Sequence, residues 1–214
     1  MNVALRVDEA TLRRELVDVC RRAYQRGMIS GTDGNLSGRL SDDRLLVTPA
    51  GVNKGYLEPH DLVEVDLDGR AVAGGNPSTE VLLHTAVYRH RPDAMGVVHA
   101  HPPSCVALTL VKLGMDQPVI PEIVGALGRV PTAPYATPGG PELPLSFIPL
   151  LAAHDAILLE RHGSVTLGNG PAQAMDRLEM IEHAATILIR AHSVGLVIPM
   201  TDEEVRKLRG GKAY

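Results

Sequence analysis

Two closely spaced histidines, His99 and His101, are the side chains of this sequence that most clearly could bind a metal ion together. They lie in the segment 96–101, Gly-Val-Val-His-Ala-His, whose apolar residues predict a strand. Because side chains alternate along a strand, both imidazoles share one face, with Cα atoms about 6.6 Å apart. Two imidazoles at that spacing can bind one divalent ion, although such a pair also occurs on strands that bind no metal.

A third ligand for such an ion must come from another part of the fold. His162 is favoured because it ends an apolar strand and precedes Gly163, where a side chain can point off the sheet edge. The weaker candidates, in predicted helices, helix ends or a turn, are His60, His84, His90, His154, His183 and His192. A carboxylate is also needed, and Glu80 at the start of a predicted helix either supplies it or only stabilises the helix N-terminus.

Three segments rich in small residues could bind an anion through their backbone N–H groups. Residues 31–35 read Gly-Thr-Asp-Gly-Asn, residues 49–51 read Pro-Ala-Gly, and residues 77–79 add two hydroxyls at a predicted helix start. Free amides at turns and at helix N-termini favour phosphate. The sequence does not show that the three segments meet in space.

The composition excludes several classes of function. Of the 214 residues, 44% are hydrophobic and 21% charged, which is typical of a folded protein and suits one domain over residues 1–214. A net charge of −4 and the absence of Trp argue against a nucleic-acid partner. Two cysteines cannot form a disulfide framework, and no apolar run is long enough for a membrane span or a signal peptide. We therefore expect a cytoplasmic protein without a membrane partner.

Interspersed helical and extended patterns predict one α/β domain with a mixed or largely antiparallel central sheet. The predicted helices cover 8–27, 77–89, 103–113, 141–153, 171–192 and a short segment that begins with a capping box at Thr201 and Glu204. The predicted strands cover 36–40, 45–48, 62–66, 70–73, 95–101, 119–123, 128–132, 156–160 and 164–167. Pro121 would confine the strand 119–123 to a sheet edge.

Five segments in a fixed order make the sequence recognisable. They are GTDGNLSGRL (31–40), VTPAGV (47–52), PSTEVLLHTAVYRHRPDAMGVVHAHPPSCVAL (77–108), APYATPG (133–139) and LLERHGSVTLG (158–168). In these segments the chain resembles the class II aldolase/adducin head family, and within it enzymes similar to L-fuculose-1-phosphate aldolase. The resemblance implies a single-domain αβα sandwich with a central, mainly antiparallel sheet. It also implies a homotetramer whose active sites lie between neighbouring subunits.

The resemblance further implies a role for each matching site residue. His99, His101 and His162 would bind Zn²⁺, with Mn²⁺ or Co²⁺ as alternatives. Glu80 would bind the metal at rest and move away to act as acid–base group, and Tyr135 would donate a proton in a neighbouring subunit's site. The residues implied to hold or shape the substrate phosphate site are Thr32, Gly34, Asn35, Gly51, Ser78 and Thr79.

Two positions depart from the family pattern. Ala50 stands where relatives often carry Ser or Thr, so one hydroxyl for the phosphate is missing. The chain ends in a short tail at Tyr214. This residue is either the equivalent of a second catalytic tyrosine found in the tail of some relatives or a frayed end residue.

The residue set fits the chemistry of a metal-dependent lyase. Retro-aldol cleavage of a β-hydroxy ketone leaves an enolate, whose negative oxygen a zinc ion can stabilise and which a carboxyl group such as Glu80 can protonate. A Schiff-base mechanism is disfavoured because the lysines at 54, 112, 207 and 212 lie in polar or terminal contexts. We therefore predict a zinc-dependent aldolase that reversibly cleaves a ketose 1-phosphate to dihydroxyacetone phosphate and an aldehyde.

Other functions on the same scaffold stay open. A pentulose-5-phosphate 4-epimerase uses the same retro-aldol step but does not release the fragments. A methylthioribulose-phosphate dehydratase, or a decarboxylase of a non-phosphorylated acid, could also use a metal-stabilised enolate. By family analogy Glu rather than Asp at position 80 favours the aldolase, while Ala50 keeps a non-phosphorylated substrate open. The complete set of three histidines and Glu80 argues against a metal-free scaffold protein like the adducin head.

Overall fold

The computed structural model describes residues 8–211, which form a central sheet between two layers of helices. The strands are β1 (Asn35–Arg39), β2 (Arg44–Val47), β3 (Val63–Asp66), β4 (Ala71–Ala73), β5 (Gly96–Ala100), β6 (Thr132–Ala133), β7 (Ala156–Leu159) and β8 (Gly163–Gly168). The helices are α1 (Glu9–Gln25), α2 (Val81–His90), α3 (Pro103–Leu110), α4 (Pro121–Ala126), α5 (Glu142–Leu151), α6 (Pro171–Val194) and α7 (Asp202–Leu208).

Within residues 8–211 the strands form one eight-stranded sheet in the order β4-β3-β2-β1-β5-β8-β7-β6. Every neighbouring pair is antiparallel except β6 and β7, which are parallel. The predicted mainly antiparallel sheet is therefore confirmed. The central strands β1, β5 and β8 come from distant parts of the chain, and their pairing brings the predicted site residues together.

Each face of the sheet packs against its own apolar core. The core under α1, α3 and α6 includes Leu16 and Val98, whereas the core under α2 and α5 includes Phe147 and Val97. The neighbours Val97 and Val98 of β5 thus face opposite layers, as the alternation of a strand requires. The predicted αβα sandwich is confirmed. None of the helices described in residues 8–211 has both the length and the apolar character needed to cross a membrane.

Two helices begin where the sequence predicted them. In α1 the Asp8 carboxylate accepts a hydrogen bond from the Thr11 amide at 3.0 Å, and Gly27 follows the helix with a φ of +69°. These are the start and stop signals that the sequence carries for this helix. At the start of α7 the Thr201 hydroxyl accepts from the Glu204 amide at 3.3 Å, and the Thr201 amide donates to the Glu204 carboxylate at 2.7 Å. The predicted capping box is therefore confirmed.

Two predicted strands and the predicted start of one helix are wrong. Residues 119–123 were expected to form an edge strand, but Pro121 begins the helix α4, because a first helical turn does not need the amide that proline lacks. Of the expected strand 128–132 only Thr132 belongs to a strand, the two-residue β6. The helix α2 begins at Val81 rather than residue 77, so Glu80 lies just before the helix.

Candidate metal centre

The three predicted metal ligands, His99, His101 and His162, lie together in the structure. One ligand atom of each lies within 4.8 Å of the other two. Nε2 of His101 is 3.2 Å from Nε2 of His99, and the His99 and His162 ring centroids are 4.7 Å apart. Two nitrogens bound to one tetrahedral zinc ion at about 2.0–2.1 Å would lie about 3.3–3.4 Å apart. The ring positions therefore fit a shared ion.

Strand β5 and its neighbours orient the first two imidazoles. His99 is paired with Asn35 of β1 and Val165 of β8, and its Nδ1 lies 2.9 Å from the backbone carbonyl of Ser164. Nδ1 must carry the proton that makes this bond, so Nε2 is the nitrogen that faces the cluster. His101 directly follows β5, and its amide donates to the carbonyl of Met28 at 2.9 Å.

His162 is held by the tight turn between β7 and β8. Arg161 in this turn adopts a φ of +61°, which is uncommon for a residue other than glycine, and its amide donates to the Thr109 hydroxyl at 3.0 Å. A Cβ at Gly163 would stand 2.3 Å from the Ala100 carbonyl oxygen. Glycine at 163 therefore lets β8 approach β5 closely enough to place His162 beside the strand pair.

Glu80 completes the cluster with its carboxylate. Its Oε2 lies 3.2 Å from Nε2 of His99, and its Oε1 lies 3.5 Å from Nε2 of His162. Burial works against ionisation of this group, but the hydrogen bond and electrostatic attraction to His99 act in the other direction. Together with smaller contributions from Asn35 and His162 they hold the pKa of Glu80 well below its usual range. The group is therefore an ionised carboxylate.

Burial also keeps the other two imidazoles neutral. Burial, and to a smaller extent the nearby His99, lowers the pKa of His101 to about 4 and that of His162 to about 4. Neutral imidazoles are the form that binds a metal ion. Within residues 8–211, the buried Oε1 of Glu80 has no hydrogen-bond partner, which leaves it free for a ligand. Three imidazole nitrogens and one carboxylate suit Zn²⁺ and also fit Mn²⁺ or Co²⁺.

The three segments that could bind an anion meet in the structure. Pro49 and Pro77 form an isolated bridge, the Ala50 amide donates to the carbonyl of residue 76 at 3.1 Å, and the Ser78 amide donates to the carbonyl of residue 48 at 3.0 Å. The segment 31–35 lies beside them, because Nδ2 of Asn35 donates to Oε2 of Glu80 and the Lys54 ammonium donates to the Thr32 carbonyl. The fold thus assembles one loop cluster, while phosphate binding by these residues stays a prediction.

Lys54 corrects one expectation from the sequence. Its context reads as polar, but the residue is only 2% exposed in the short 3₁₀-helix 54–56. No carboxylate of the described residues forms an ion pair with it, and burial lowers the pKa of its ammonium. A buried cation without a paired anion is costly, so this one is suited to attract a negatively charged ligand to the loop cluster.

The predicted phosphate residues differ in exposure. Thr32, Gly51 and Thr79 are exposed at the loop cluster, whereas Ser78 is buried and its hydroxyl accepts from the Glu80 amide at 3.3 Å. Gly34, with a φ of +67°, has no room for a side chain, because a Cβ would stand 2.5 Å from the Ile29 side chain.

Of the two tyrosines considered for catalysis, Tyr135 belongs to the described residues 8–211. Tyr135 follows β6 with 58% of its surface exposed, and its amide donates to the Glu160 carboxylate at 3.3 Å. Its proposed role in a neighbouring subunit stays a prediction. Tyr214 lies outside the described residues.

A buried chain of hydrogen bonds behind Glu80 was not foreseen from the sequence; we call it the polar ladder. Nδ2 of Asn35 donates to Oε2 of Glu80 at 2.9 Å, and Oδ1 of Asn35 lies 2.6 Å from Nε2 of His84. Oγ of Ser37 lies 2.6 Å from Nδ1 of His84 and 3.0 Å from the Tyr88 hydroxyl. Polar residues at 84 and 88 share one face of α2, with Glu80 four residues before 84, and those at 35 and 37 share one strand face. The spacing of four residues in one segment and of two residues in the other was the sequence pattern that could have indicated this chain of hydrogen bonds.

His84 is the fully buried centre of the polar ladder. Burial, with a smaller effect of His99, lowers its pKa to about 3, although the charge of Glu80 acts in the opposite direction. The imidazole is therefore neutral, and one of its nitrogens donates while the other accepts.

Comparison with known proteins agrees with this geometry. Residues 14–189 match the family model described as Class II Aldolase and Adducin N-terminal domain. The chain is 35% identical to 3-oxo-tetronate 4-phosphate decarboxylase of Escherichia coli K12 over 209 residues, which covers 95% of this chain and 94% of that protein. It is 32% identical to L-fuculose phosphate aldolase of Escherichia coli K12, which covers 91% of this chain and 90% of that protein.

A solved structure shows the same similarity. The crystal structure of YgbL from Escherichia coli, described as an aldolase, epimerase or decarboxylase, superposes with a TM-score of 0.86 at 35% identity. The match covers 94% of this chain and 99% of that chain.

Removal of one histidine should weaken metal binding. We expect about one zinc ion per chain in the wild-type protein and a substantially smaller fraction in His162→Ala, because one of the three nitrogen ligands is lost. The protein is loaded with zinc and dialysed to remove unbound metal, and metal analysis then measures the number of zinc ions per chain. His60→Ala is the matched control, because the His60 side chain is 83% exposed. Equal zinc content in the wild type and His162→Ala would contradict the site.

The metal-free protein should lose stability as the pH falls from about 6.5 to about 4. The unfolded chain takes up protons on its histidines near pH 6.5, about the ordinary histidine pKa. In the folded chain the pKa is about 4 for His101 and His162 and about 3 for His84. The unfolded state binds more protons in this window, so acid favours unfolding.

Urea unfolding in the presence of a chelator, at a pH of about 7.5 and again at about 5, measures this loss of free energy. His84→Gln should reduce the difference between the two pH values, because it removes one buried imidazole, and the exposed-site variant His60→Gln should not. The same free energy of unfolding at both pH values in the wild type would show that the imidazoles are not held neutral.

Proposed function

Because the chain belongs to the class II aldolase and adducin N-terminal domain family, we propose that it is a metal-dependent lyase that decarboxylates a phosphorylated 3-oxo sugar acid. The observation that carries this proposal is the meeting of three imidazoles and Glu80 within 4.8 Å and hydrogen-bond distance, beside a loop cluster suited to an anion. The similarity to 3-oxo-tetronate 4-phosphate decarboxylases supports this alternative better than the aldolase that the sequence put first.

The decarboxylation of such a substrate needs an electron sink. In a 3-oxo-tetronate 4-phosphate the carboxylate C1 is attached to C2, next to the C3 ketone. Loss of CO₂ breaks the C1–C2 bond and leaves its electron pair as an enediolate over C2, C3 and the C3 oxygen. A divalent ion held by the three histidines would supply Lewis acidity for the oxygen that gains this charge.

Glu80 is the group that we assign to proton transfer. The balanced reaction takes up one proton from water for each CO₂ released, and that proton ends on C2 to give dihydroxyacetone phosphate. An ionised Glu80 cannot donate at rest, so it must first take up this proton and then deliver it. Its Oε1 is the oxygen without a hydrogen-bond partner among the described groups and is free for this role.

The buried Lys54 supports a phosphorylated substrate. Its ammonium holds the Thr32 carbonyl, so its positive charge lies directly behind the loop 31–35. Ala50 offers no hydroxyl, and backbone amides together with this charge could compensate for it. The decarboxylase considered from the sequence acted on a non-phosphorylated acid, whereas the decarboxylases similar to this chain are named for a 4-phosphate. We therefore revise that alternative to a phosphorylated acid.

The aldolase remains the second candidate function. The chain is 32% identical to an L-fuculose phosphate aldolase, and retro-aldol cleavage of a ketose 1-phosphate leaves the same enediolate of dihydroxyacetone phosphate. The same histidines, Glu80 and loop cluster would serve that fragment. The two functions differ only in whether CO₂ or an aldehyde leaves.

The deciding experiment measures CO₂ and dihydroxyacetone phosphate after incubation of the zinc-loaded protein with a 3-oxo-tetronate 4-phosphate. Equal amounts of both products are expected, with loss of activity after chelation. A parallel reaction offers dihydroxyacetone phosphate and a panel of aldehydes. Condensation in the second reaction without CO₂ release in the first would reject the decarboxylase in favour of the aldolase.

Lys54→Met tests the phosphate in the same assay. We expect a roughly tenfold higher KM for the phosphorylated acid and no more than about a twofold change for the non-phosphorylated acid, because only the former gains from the cation. Lys207→Met is the matched control, since the Lys207 side chain is 76% exposed. Equal losses on both acids would assign Lys54 a purely structural role.

We also propose a homotetramer in which Tyr135 serves a neighbouring site. The exposure of this residue, 58% in the single chain, supports a contact with another subunit. Tyr135→Phe and Glu80→Gln chains should each be inactive alone. Co-expressed chains should recover about a quarter of the wild-type activity, because random assembly gives that share of sites with both native residues. A monomer in sedimentation, or no recovery, would contradict the arrangement.

A further inference from the structure

The polar ladder connects Glu80 to the interior of the protein rather than to solvent. Its members Asn35, Ser37, His84 and Tyr88 are at most 3% exposed. The far end is fixed as well, because the Arg39 guanidinium donates to the Tyr88 carbonyl at 2.9 Å and lies 4.8 Å from the centre of its ring. A chain anchored at both ends can hold its members in one arrangement.

The carboxylate at one end determines every donor along the polar ladder. Nδ2 of Asn35 donates to Oε2 of Glu80, so Oδ1 is the remaining polar atom of this amide, and it must accept from His84. Nε2 of His84 therefore carries the proton, and its Nδ1 accepts from the Ser37 hydroxyl. The Ser37 oxygen then accepts from Tyr88. This order fixes one amide orientation for Asn35 and one tautomer for His84.

Stability alone does not account for this arrangement. Buried polar groups must be desolvated, and apolar side chains of similar size are often as stable or more so in a core. A fully satisfied network, in contrast, specifies one geometry. What the polar ladder specifies at its active end is the position of the Glu80 carboxylate.

We propose that the polar ladder is a positioning device that holds Oε2 of Glu80 as an acceptor and thereby presents Oε1 for the proton of the reaction. Asn35 and His84 are positioning residues in this device, and His84 acts through Asn35. The inference deepens the proposed function, because it rests on Glu80 as the proton carrier. The second N–H of the Asn35 amide is left over for the substrate phosphate, the role that the family resemblance implies for this residue.

Two variants at position 84 separate positioning from packing. The Gln amide can reach the place of Nε2 and donate to Asn35, whereas the Asn amide reaches only the place of Nδ1 and keeps the bond to Ser37. We expect His84→Asn to slow proton transfer by about 10–100-fold with KM changed less than about threefold, and His84→Gln to stay within about threefold of the wild type. Both variants should keep about one zinc ion per chain, because the three histidines are unchanged.

The assay is the exchange of the hydroxymethyl protons of dihydroxyacetone phosphate with deuterated water, followed by NMR. Decarboxylation and aldol cleavage share this enediolate step, so the result does not depend on which leaving group is correct. Failure of CO₂ release with normal exchange would therefore reject the decarboxylase alone. Equal loss of exchange in His84→Asn and His84→Gln would overturn the positioning proposal.

A spectroscopic measurement on the wild type does not depend on activity. Long-range ¹H–¹⁵N correlation of histidine-labelled protein distinguishes the two neutral tautomers and the imidazolium. The His84 signal, assigned by its loss in His84→Gln, should show a proton on Nε2 alone between a pH of about 6 and about 8. A proton on Nδ1, or on both nitrogens, would overturn the proposed donor order.

Discussion

The structure depends on bringing three imidazole nitrogens and a carboxylate into one buried space. The proton on Nδ1 of His99 is committed to the Ser164 carbonyl, and its Nε2 faces Nε2 of His101 at 3.2 Å. A shared cation would hold these nitrogens and the carboxylate together. The sheet pairing, the turn before Gly163 and the start of α2 all serve this convergence.

Pairing of strands that are distant in sequence creates the site. β5 lies between β1 and β8, so His99 has Asn35 on one side and Val165 on the other. The start of β8 then places His162 beside the end of β5. On the same face of β1, α2 sets Glu80 and His84 against the strand. The same strands, β1, β5 and β8, together with α2 therefore position both the candidate metal ligands and the group that we assign to proton transfer.

Sequence patterns within single elements predicted most of the fold and the three histidine ligands. They did not predict the tertiary environment of single residues. Strand alternation predicted that His99 and His101 share a face, and the glycine turn singled out His162. The same rules failed for Pro121, where a strand pattern and a first helical turn look alike. The burial of Lys54 was missed because a neighbouring loop covers it. The polar ladder was missed because it requires two elements to be paired before their polar spacings can be compared.

On the proposed function, the parts of the site divide between the fragment that stays and the fragment that leaves. The histidines, Glu80, the polar ladder and the loop cluster all act on the three-carbon enediolate and its phosphate, which decarboxylation and aldol cleavage share. Nothing in that set distinguishes CO₂ from an aldehyde. Specificity must therefore lie where the leaving group departs, and an exposed side chain such as Tyr135, which another subunit can meet, is suited to that place. This division explains how relatives named for different reactions can share one scaffold with this chain.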